Sequence, residues 1–179
     1  NCPEIIYYKS LRFTPKLHTD NKLFIAEGEK VVRRLLESRL QIESILLTKE
    51  YFDKYEDLIT DRIADSEKVY LAEKQLMEQI VGFNIHTGIM AMAEIPDETE
   101  PLKMKAPIVA LNGIVNSENT GSIVRNSVAF GFNSLILCEK SASPWLRRAV
   151  RVSMGNIFDM QFYHSEELKN TLIELKKSD

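Results

Sequence analysis

An asparagine and an arginine six residues apart, Asn119 and Arg125, are the side chains in this sequence best placed to do chemistry. They lie in a polar segment that follows the apolar run 108–111 and leads into a helix. Free amides at a helix N-terminus favour an anion such as phosphate. The arginine, under two turns further on, could hold the same anion, and Gly121 between them would let a partner approach the backbone closely.

A plain strand-to-helix crossover would use the same residues without any chemistry. Asn119 would then cap the helix 119–130, Arg125 would lie on its solvated face, and Gly131 would end it. The spacing alone favours the plain crossover, because helix caps and surface arginines are far commoner than functional sites. The segment lacks the G-x-G-x-x-G fingerprint of dinucleotide-binding folds and the Gly-Lys-Ser/Thr of a P-loop, which disfavours a nucleotide-dependent oxidoreductase.

Strands and helices alternate in the first half of the chain, which predicts a small α/β sandwich. The expected strands are 23–26, 42–47, 68–71 and 88–95, and the expected helices are 29–40, 51–59 and 73–81.

Three prolines and a lack of periodicity mark residues 96–106, up to Pro107, as a linker. The expected domains are therefore 1–95 and 107–179. In the second domain the expected strands are 108–111, 134–138 and 160–163, and the expected helices are 119–130, 144–154 and 165–177. This order predicts the first part of a parallel sheet with crossover helices. Three strands are too few for a typical doubly wound domain, so we expect the domain to be incomplete.

The composition is that of an ordinary globular protein, with 44% hydrophobic and 27% charged residues. A net charge of −3 gives no overall basic signature for nucleic-acid binding, so such contacts must come from local basic patches. The candidate patches are Arg12 with Lys16, Arg33 with Arg34, and the cluster Arg147, Arg148 and Arg151. The cluster Arg147, Arg148 and Arg151 could equally be a solvated face.

The cysteines and histidines show no pattern of metal ligands. Cys2 and Cys138 have no pairing motif, which favours a reduced, cytoplasmic protein. His18, His86 and His164 lack ligand spacing, and we expect no metal site. No apolar run approaches the length of a membrane helix, so we expect no membrane association.

The run Asn119-x-Gly121-x-x-x-Arg125, followed by 129–132 (Ala-Phe-Gly-Phe), resembles the first signature motif of SpoU-type RNA methyltransferases, members of the SPOUT superfamily. The segment 151–158 resembles the Ser-x-Gly-Ala element that follows it in that family. The segment 24–28 (Phe-Ile-Ala-Glu-Gly) is similar to the start of the family's substrate-binding domain. The resemblance covers nearly the whole chain, and its most specific part is 119–131.

This resemblance implies a small N-terminal α/β substrate-binding domain, followed by the first half of an α/β-knot methyltransferase domain. It implies methyl transfer from S-adenosylmethionine to a ribose 2′-hydroxyl of rRNA or tRNA, and a homodimer for the full-length protein. Arg125 and Asn119 would be catalytic, while Arg12, Lys16, Arg147, Arg148 and Arg151 are the candidate RNA-binding residues. A guanidinium keeps its proton, so we expect Arg125 to bind phosphate or stabilise the forming alkoxide.

The family's two later motifs, whose loops hold S-adenosylmethionine, have no counterpart in this sequence. The sequence also begins with Asn1 rather than Met. We therefore expect a piece of a longer enzyme that is inactive by itself. The alternative is a non-catalytic RNA-binding protein derived from the family.

Overall fold

The structure, a computed structural model, describes residues 3–178, so Cys2 lies outside the described residues. The chain divides into two compact units between Ile95 and Pro96. Within residues 3–178, no helix is both long and apolar enough to cross a membrane.

The first unit is a mixed sheet with helices. In the described residues up to 95, its strands are β1 (Leu23–Glu27), β2 (Ile42–Leu47), β3 (Val69–Leu71) and β4 (Ile89–Glu94). Its helices are α1 (Lys16–Asp20), α2 (Glu29–Glu37), α3 (Lys49–Arg62) and α4 (Lys74–Val81), with 3-10 turns at Pro3–Tyr8 and Ser66–Lys68. The strand order is β1-β4-β2-β3, with β4 antiparallel to both neighbours and β3 parallel to β2.

Both faces of this sheet are covered, which explains its nearly continuous apolar strands. All five residues of β1 are buried. Leu23 and Ile25 join a core cluster with Met77 of α4, and the alternation of a strand sends Phe24 to the opposite face. Helix α2 buries Val31 and its apolar neighbours, as the sequence pattern predicts.

The second unit contains a parallel sheet. In the described residues from 96 to 178, its strands are β5 (Ile108–Leu111), β6 (Ser134–Cys138) and β7 (Gln161–Ser165). Its helices are α5 (Ser117–Ala129), α6 (Arg147–Val152) and α7 (Leu168–Ser178), with 3-10 turns at Pro101–Lys103 and Asn156–Asp159. The order is β5-β6-β7 and both pairs are parallel. The mixed α/β architecture expected from the sequence is confirmed.

Residues 96–106, expected to be a linker, lie in this second unit. The Thr99 amide donates to the carbonyl oxygen of Phe162 at 2.9 Å. The Glu98 carboxylate accepts from the His164 amide at 3.1 Å and lies 2.8 Å from the ring nitrogen Nδ1 of the same histidine. This segment is thus attached to β7.

Helix α6 is shorter than the helix expected over 144–154. Leu146 has an extended backbone (φ −61°, ψ 136°), so the helix begins after it at Arg147. Met154 and Gly155 have positive φ angles of 56° and 75°, which prevents the helix from continuing. Trp145, before the helix, is buried and packs its ring against Phe162.

Candidate functional site

The loop 112–116 follows β5 at the carboxyl edge of the parallel sheet, where open α/β sheets usually bind their ligands. Asn116 ends this loop and caps α5. Its side-chain oxygen accepts from the amides of Glu118 at 2.8 Å and Asn119 at 3.3 Å. The expectation that Asn119 is the cap is therefore wrong. Asn119 lies in the first turn of the helix, and its side chain is available for another role.

The loop 139–146, which follows β6, is bonded to the loop 112–116. The Ser141 hydroxyl donates to the Leu111 carbonyl at 3.1 Å and accepts from the Ile114 amide at 3.2 Å. The Ala142 amide donates to the Ile114 carbonyl at 2.7 Å. These bonds fix where the first loop ends and hence where α5 begins.

Cys138, the last residue of β6, belongs to the same network. Its sulfur accepts from the Gly113 amide at 3.1 Å and lies 3.4 Å from the Ser141 hydroxyl oxygen. Because that hydroxyl gives its one proton to Leu111, the Cys138 thiol is the donor in the contact with Ser141. The side chain is buried, so we assign Cys138 a structural role.

Gly121 has a packing role in α5. A β-carbon at this position would lie 2.5 Å from the Ala149 carbonyl oxygen and 3.0 Å from the Val152 β-carbon, both in α6. The close partner that the sequence suggested for this glycine is therefore helix α6. Val124, one turn further along, is fully buried. This face of α5 is consequently closed to ligands.

The opposite face of α5 carries a polar stripe of Asn119, Ser122, Arg125 and Asn126, which we call the α5 stripe. All four residues are exposed. Asn119, Ser122 and Arg125 follow one another at intervals of three residues, and Asn126 lies four residues after Ser122, so these side chains are neighbours on the helix surface. The structure thus brings both expected catalytic residues, Asn119 and Arg125, onto one accessible surface. Their catalytic roles stay predictions.

The side chains of Asn119 and Arg125 make no hydrogen bond or ion pair with any residue between 3 and 178. Glu118, the residue before Asn119, does not pair with Arg125 among these residues. The guanidinium therefore has its donors available for an anion.

The other basic candidates lie elsewhere in the two units. Arg148 is exposed on α6, whereas Arg147 and Arg151, one turn apart, are half-buried and already interact within the chain. In the first unit, Arg12 is exposed in a turn, and Lys16 is exposed as the first residue of α1. Their part in RNA binding stays a prediction.

The histidines serve local structure. His18 is buried, and its Nε2 lies 2.7 Å from the carbonyl oxygen of Tyr7. Burial lowers the pKa of His18, and the hydrogen bond to Tyr7 opposes this only in part. His164 is bound to Glu98, as described above. Within the described part of the chain, His, Cys, Asp and Glu side chains form no group of three that could hold a metal ion.

Sequence reasoning missed Asn116 and Ser141. For Asn116 a signal existed, because an asparagine ahead of Ser117-Glu118 is a good N-cap. For Ser141 there was none, since its hydroxyl contacts backbone atoms of Leu111 and Ile114, about 30 positions earlier in the chain.

Both halves of the chain match known family models. Residues 106–179 match the SpoU rRNA Methylase family. Residues 25–99 match the model for RNA 2′-O ribose methyltransferase substrate binding. The two matches together take in most of the chain and meet near the boundary between the two units.

Proteins with similar sequences are named as RNA methyltransferases. An uncharacterized tRNA/rRNA methyltransferase of Mycobacterium bovis is 30% identical over 167 residues, which cover 92% of this chain and 57% of the relative. The 23S rRNA (guanosine-2′-O-)-methyltransferase RlmB of Nitrosomonas europaea is 24% identical, with 82% and 60% covered. The chain thus spans somewhat more than half the length of these relatives.

Solved structures share the fold. An rRNA methyltransferase from Sinorhizobium meliloti superposes with a TM-score of 0.78 at 18% identity, covering 98% of this chain and 66% of that one. The SpoU methyltransferase AviRb from Streptomyces viridochromogenes, in complex with AdoMet, gives 0.74 at 14% identity, covering 98% and 67%. At these identities the similarity shows the architecture alone.

Proposed function

The chain belongs to the SpoU family of RNA methyltransferases, and on that premise we propose that it supplies the RNA-binding side of an enzyme that methylates ribose 2′-hydroxyls. The methyl donor would be S-adenosylmethionine and the substrate rRNA or tRNA. The observation that carries the proposal is the α5 stripe, where Asn119 and Arg125 of the family motif lie exposed and have no side-chain partner among residues 3–178.

The chemistry explains why an arginine would be used. A ribose hydroxyl is a poor nucleophile, and negative charge develops on its oxygen as the proton leaves. A fixed cation near that oxygen lowers the barrier, and a planar guanidinium can also hold the adjacent phosphate with two hydrogen bonds. Arg125 is suited to both tasks. Asn119 offers an amide on the same stripe and would orient the ribose or the phosphate.

The residues of this chain do not by themselves fit S-adenosylmethionine. A cofactor of that size needs a concave site with several converging polar groups. At the carboxyl edge of the sheet, the amides of Gly113, Ile114 and Ala142 already donate to protein acceptors. These amides are therefore not available to a cofactor. We propose that S-adenosylmethionine binds in the part of the relatives that this chain does not span.

We expect the RNA to be held mainly through phosphates. The exposed Arg148 and the exposed pair Arg12 and Lys16 are the best candidates for such contacts. Phosphate contacts release condensed counterions, so binding should weaken as salt is raised.

We further propose that the protein containing this chain is a homodimer. Phe130 and Phe132, just after α5, are 77% and 39% exposed. Aromatic side chains of this kind are enriched in the centre of protein interfaces. Sedimentation of the full-length protein would measure its oligomeric state, and a monomer would contradict the proposal.

The test of function is methyl transfer by the protein expressed from its whole reading frame. With radiolabelled S-adenosylmethionine, we expect label in rRNA or tRNA, and we expect alkaline hydrolysis to leave the modified nucleotide joined to its neighbour, because a 2′-O-methyl group blocks cleavage. RNA that binds without being labelled would favour a non-catalytic RNA-binding protein. Label on a base rather than a ribose would contradict the 2′-hydroxyl assignment.

A further inference from the structure

A cavity of about 240 Å³ opens on the first unit, at the end of the sheet where β1 begins and β4 ends. Leu23 and Met92, both nearly buried, contribute apolar surface to it. The rings of Tyr7 and Tyr70 also line it. The volume is below the roughly 300–1,000 Å³ of pockets for drug-sized ligands, so it suits a single small, flat group. We call this space the tyrosine cavity.

Both tyrosine rings are held in place by neighbours. The Tyr7 ring stacks on His18 with 6.2 Å between ring centroids and 19° between planes. The Tyr70 ring meets Tyr8 edge-on, at 6.2 Å and 79°. Tyr8 is fully buried, and its hydroxyl oxygen lies 2.9 Å from that of Ser44. Rings that are already ordered can bind an aromatic ligand at little entropic cost.

The polar rim of the cavity favours a ligand that donates hydrogen bonds. Lys68 is paired with Glu43 at 3.6 Å, so its charge is already compensated. Glu94 is exposed, and its carboxylate has no partner among residues 3–178. The side-chain nitrogen of Asn21 donates to the Leu17 carbonyl at 2.8 Å, which leaves its oxygen as an acceptor. Glu43, Glu94 and Lys68 together carry a net negative charge, which disfavours a phosphate group inside the cavity.

We propose that the tyrosine cavity binds an unpaired RNA base that carries an exocyclic amino group. Such a base is flat, aromatic and neutral, and its amino group donates to acceptors such as Glu94 and Asn21. Adenine, cytosine and guanine carry this group, whereas uracil does not. Single-stranded bases are commonly recognised by aromatic rings together with hydrogen bonds to their edges. The proposal rests on the proposed function, because it takes RNA as the ligand of this unit.

The experiment uses the whole 179-residue chain and fluorescein-labelled RNA hexamers. We expect hexa-adenylate and hexa-cytidylate to bind severalfold more tightly than hexa-uridylate in anisotropy titrations. With methyl-labelled methionine, NMR should show the Met92 signal shifting on binding, while Met104 in the second unit serves as the internal reference. Equal binding of the three hexamers, an unmoved Met92 signal, or no binding would each overturn the proposal.

Two substitutions test the chemistry of the cavity. Glu94→Gln removes the unpaired carboxylate with little change of size and should reduce the preference for adenylate over uridylate. Glu56→Gln, an exposed glutamate on α3, is the matched control and should leave the preference unchanged. If Glu94→Gln retains the full preference, the carboxylate does not read the base and the proposal fails.

Tyr70→Leu should weaken binding about 5-fold or more, since base stacking on an aromatic ring is lost. Tyr70→Phe keeps the ring and should restore binding, which separates stacking from a general loss of structure. If both variants bind equally well, the ring has no part in recognition.

Adenosine monophosphate separates an RNA base from a free nucleotide. If it binds as tightly as the adenylate hexamer, the cavity is a mononucleotide site and the RNA proposal is overturned. This test is independent of methyl transfer. An active full-length enzyme whose cavity binds no hexamer would refute the cavity proposal alone, whereas base binding without any methylation would refute the proposed function alone.

Discussion

Gly121 of α5 and Ala149 of α6 lie so close that a β-carbon on the glycine would stand 2.5 Å from the alanine carbonyl oxygen. Real β-carbons are essentially never found so near another heavy atom. The glycine of the family motif is therefore required by helix packing in this chain. Because α5 also carries Arg125, the same contact determines where that side chain is presented.

We predict that Gly121→Ala destabilises the second unit by about 1–3 kcal/mol, the usual cost of overpacking. In an exposed helix interior the same Gly→Ala change would stabilise the folded state by about 0.5–1 kcal/mol. The sign of the change in unfolding free energy therefore tests whether α6 packs against this position. Urea unfolding measures the effect. Ser122→Ala, at the exposed neighbouring position, is the control and should change stability by less than about 0.5 kcal/mol. A neutral or stabilising Gly121→Ala would mean that α5 and α6 are further apart.

Asn116→Ala should cost about 1 kcal/mol of stability, because removal of the capping side chain leaves the amides of Glu118 and Asn119 without their acceptor. Asn119→Ala removes no hydrogen bond within the described chain and should change stability much less. Thermal unfolding of the two variants compares them directly. If Asn119→Ala is the more destabilising, the capping residue has been misassigned.

The two asparagines show how far the sequence could determine this site. Asn116, Ser117 and Asn119 are all good caps, so propensity alone could not choose among them. The choice depends on the Ser141 bonds to the preceding loop, which come from a distant part of the chain. By contrast, the exposure of Arg125 followed from helical periodicity alone.

The secondary-structure elements also differ in how well the local sequence predicts them. The strands β1, β2, β5 and β6 were predictable, because short runs of apolar and β-branched residues suit buried strands. The late start of α6 was not, since it reflects the extended backbone of Leu146 beside the buried Trp145. The local sequence therefore predicts that a helix or strand is present better than it predicts the residues at which it begins and ends.

In the full-length protein, Arg125→Ala should lower the rate of methyl transfer by about 10²–10³-fold, the usual effect of losing one charge-stabilising group. Cofactor binding should change little, because we propose that this arginine acts on the RNA and not on the cofactor. Radiolabel incorporation and calorimetry with the cofactor measure the two quantities. Retention of full activity would remove Arg125 from the catalytic residues.

Replacing Arg147, Arg148 and Arg151 together by Ala should weaken RNA binding and reduce its dependence on salt. Each phosphate contact that is lost lowers the slope of log affinity against log salt by about 1. Filter binding over a range of salt concentrations gives this slope. Changing Lys169, Lys176 and Lys177 on α7 to Ala makes the same change in net charge and is the matched control. If the two triple variants behave alike, helix α6 has no specific part in RNA binding.

His18 should make the first unit sensitive to acid. Burial lowers its pKa from the ordinary value of 6.5, so below about pH 6.5 the unfolded chain takes up a proton more readily than the folded chain. Stability is therefore fully present above pH 6.5 and falls as the pH drops toward the folded-state pKa. Urea unfolding between pH 7.5 and pH 5 should show a smaller loss for His18→Gln than for the original chain. His86→Gln, at an exposed position, should follow the original chain.

The hydroxyl of Ser141 has a consequence for motion at the carboxyl edge of the second sheet. It is bonded at once to the carbonyl of Leu111 and the amide of Ile114, while the next residue, Ala142, is bonded to Ile114 as well. Neither the loop 112–116 nor the loop 139–146 can leave its place without breaking the bonds of the other. We therefore expect the two loops to open and close together, so that a ligand bound to one of them slows the opening of both.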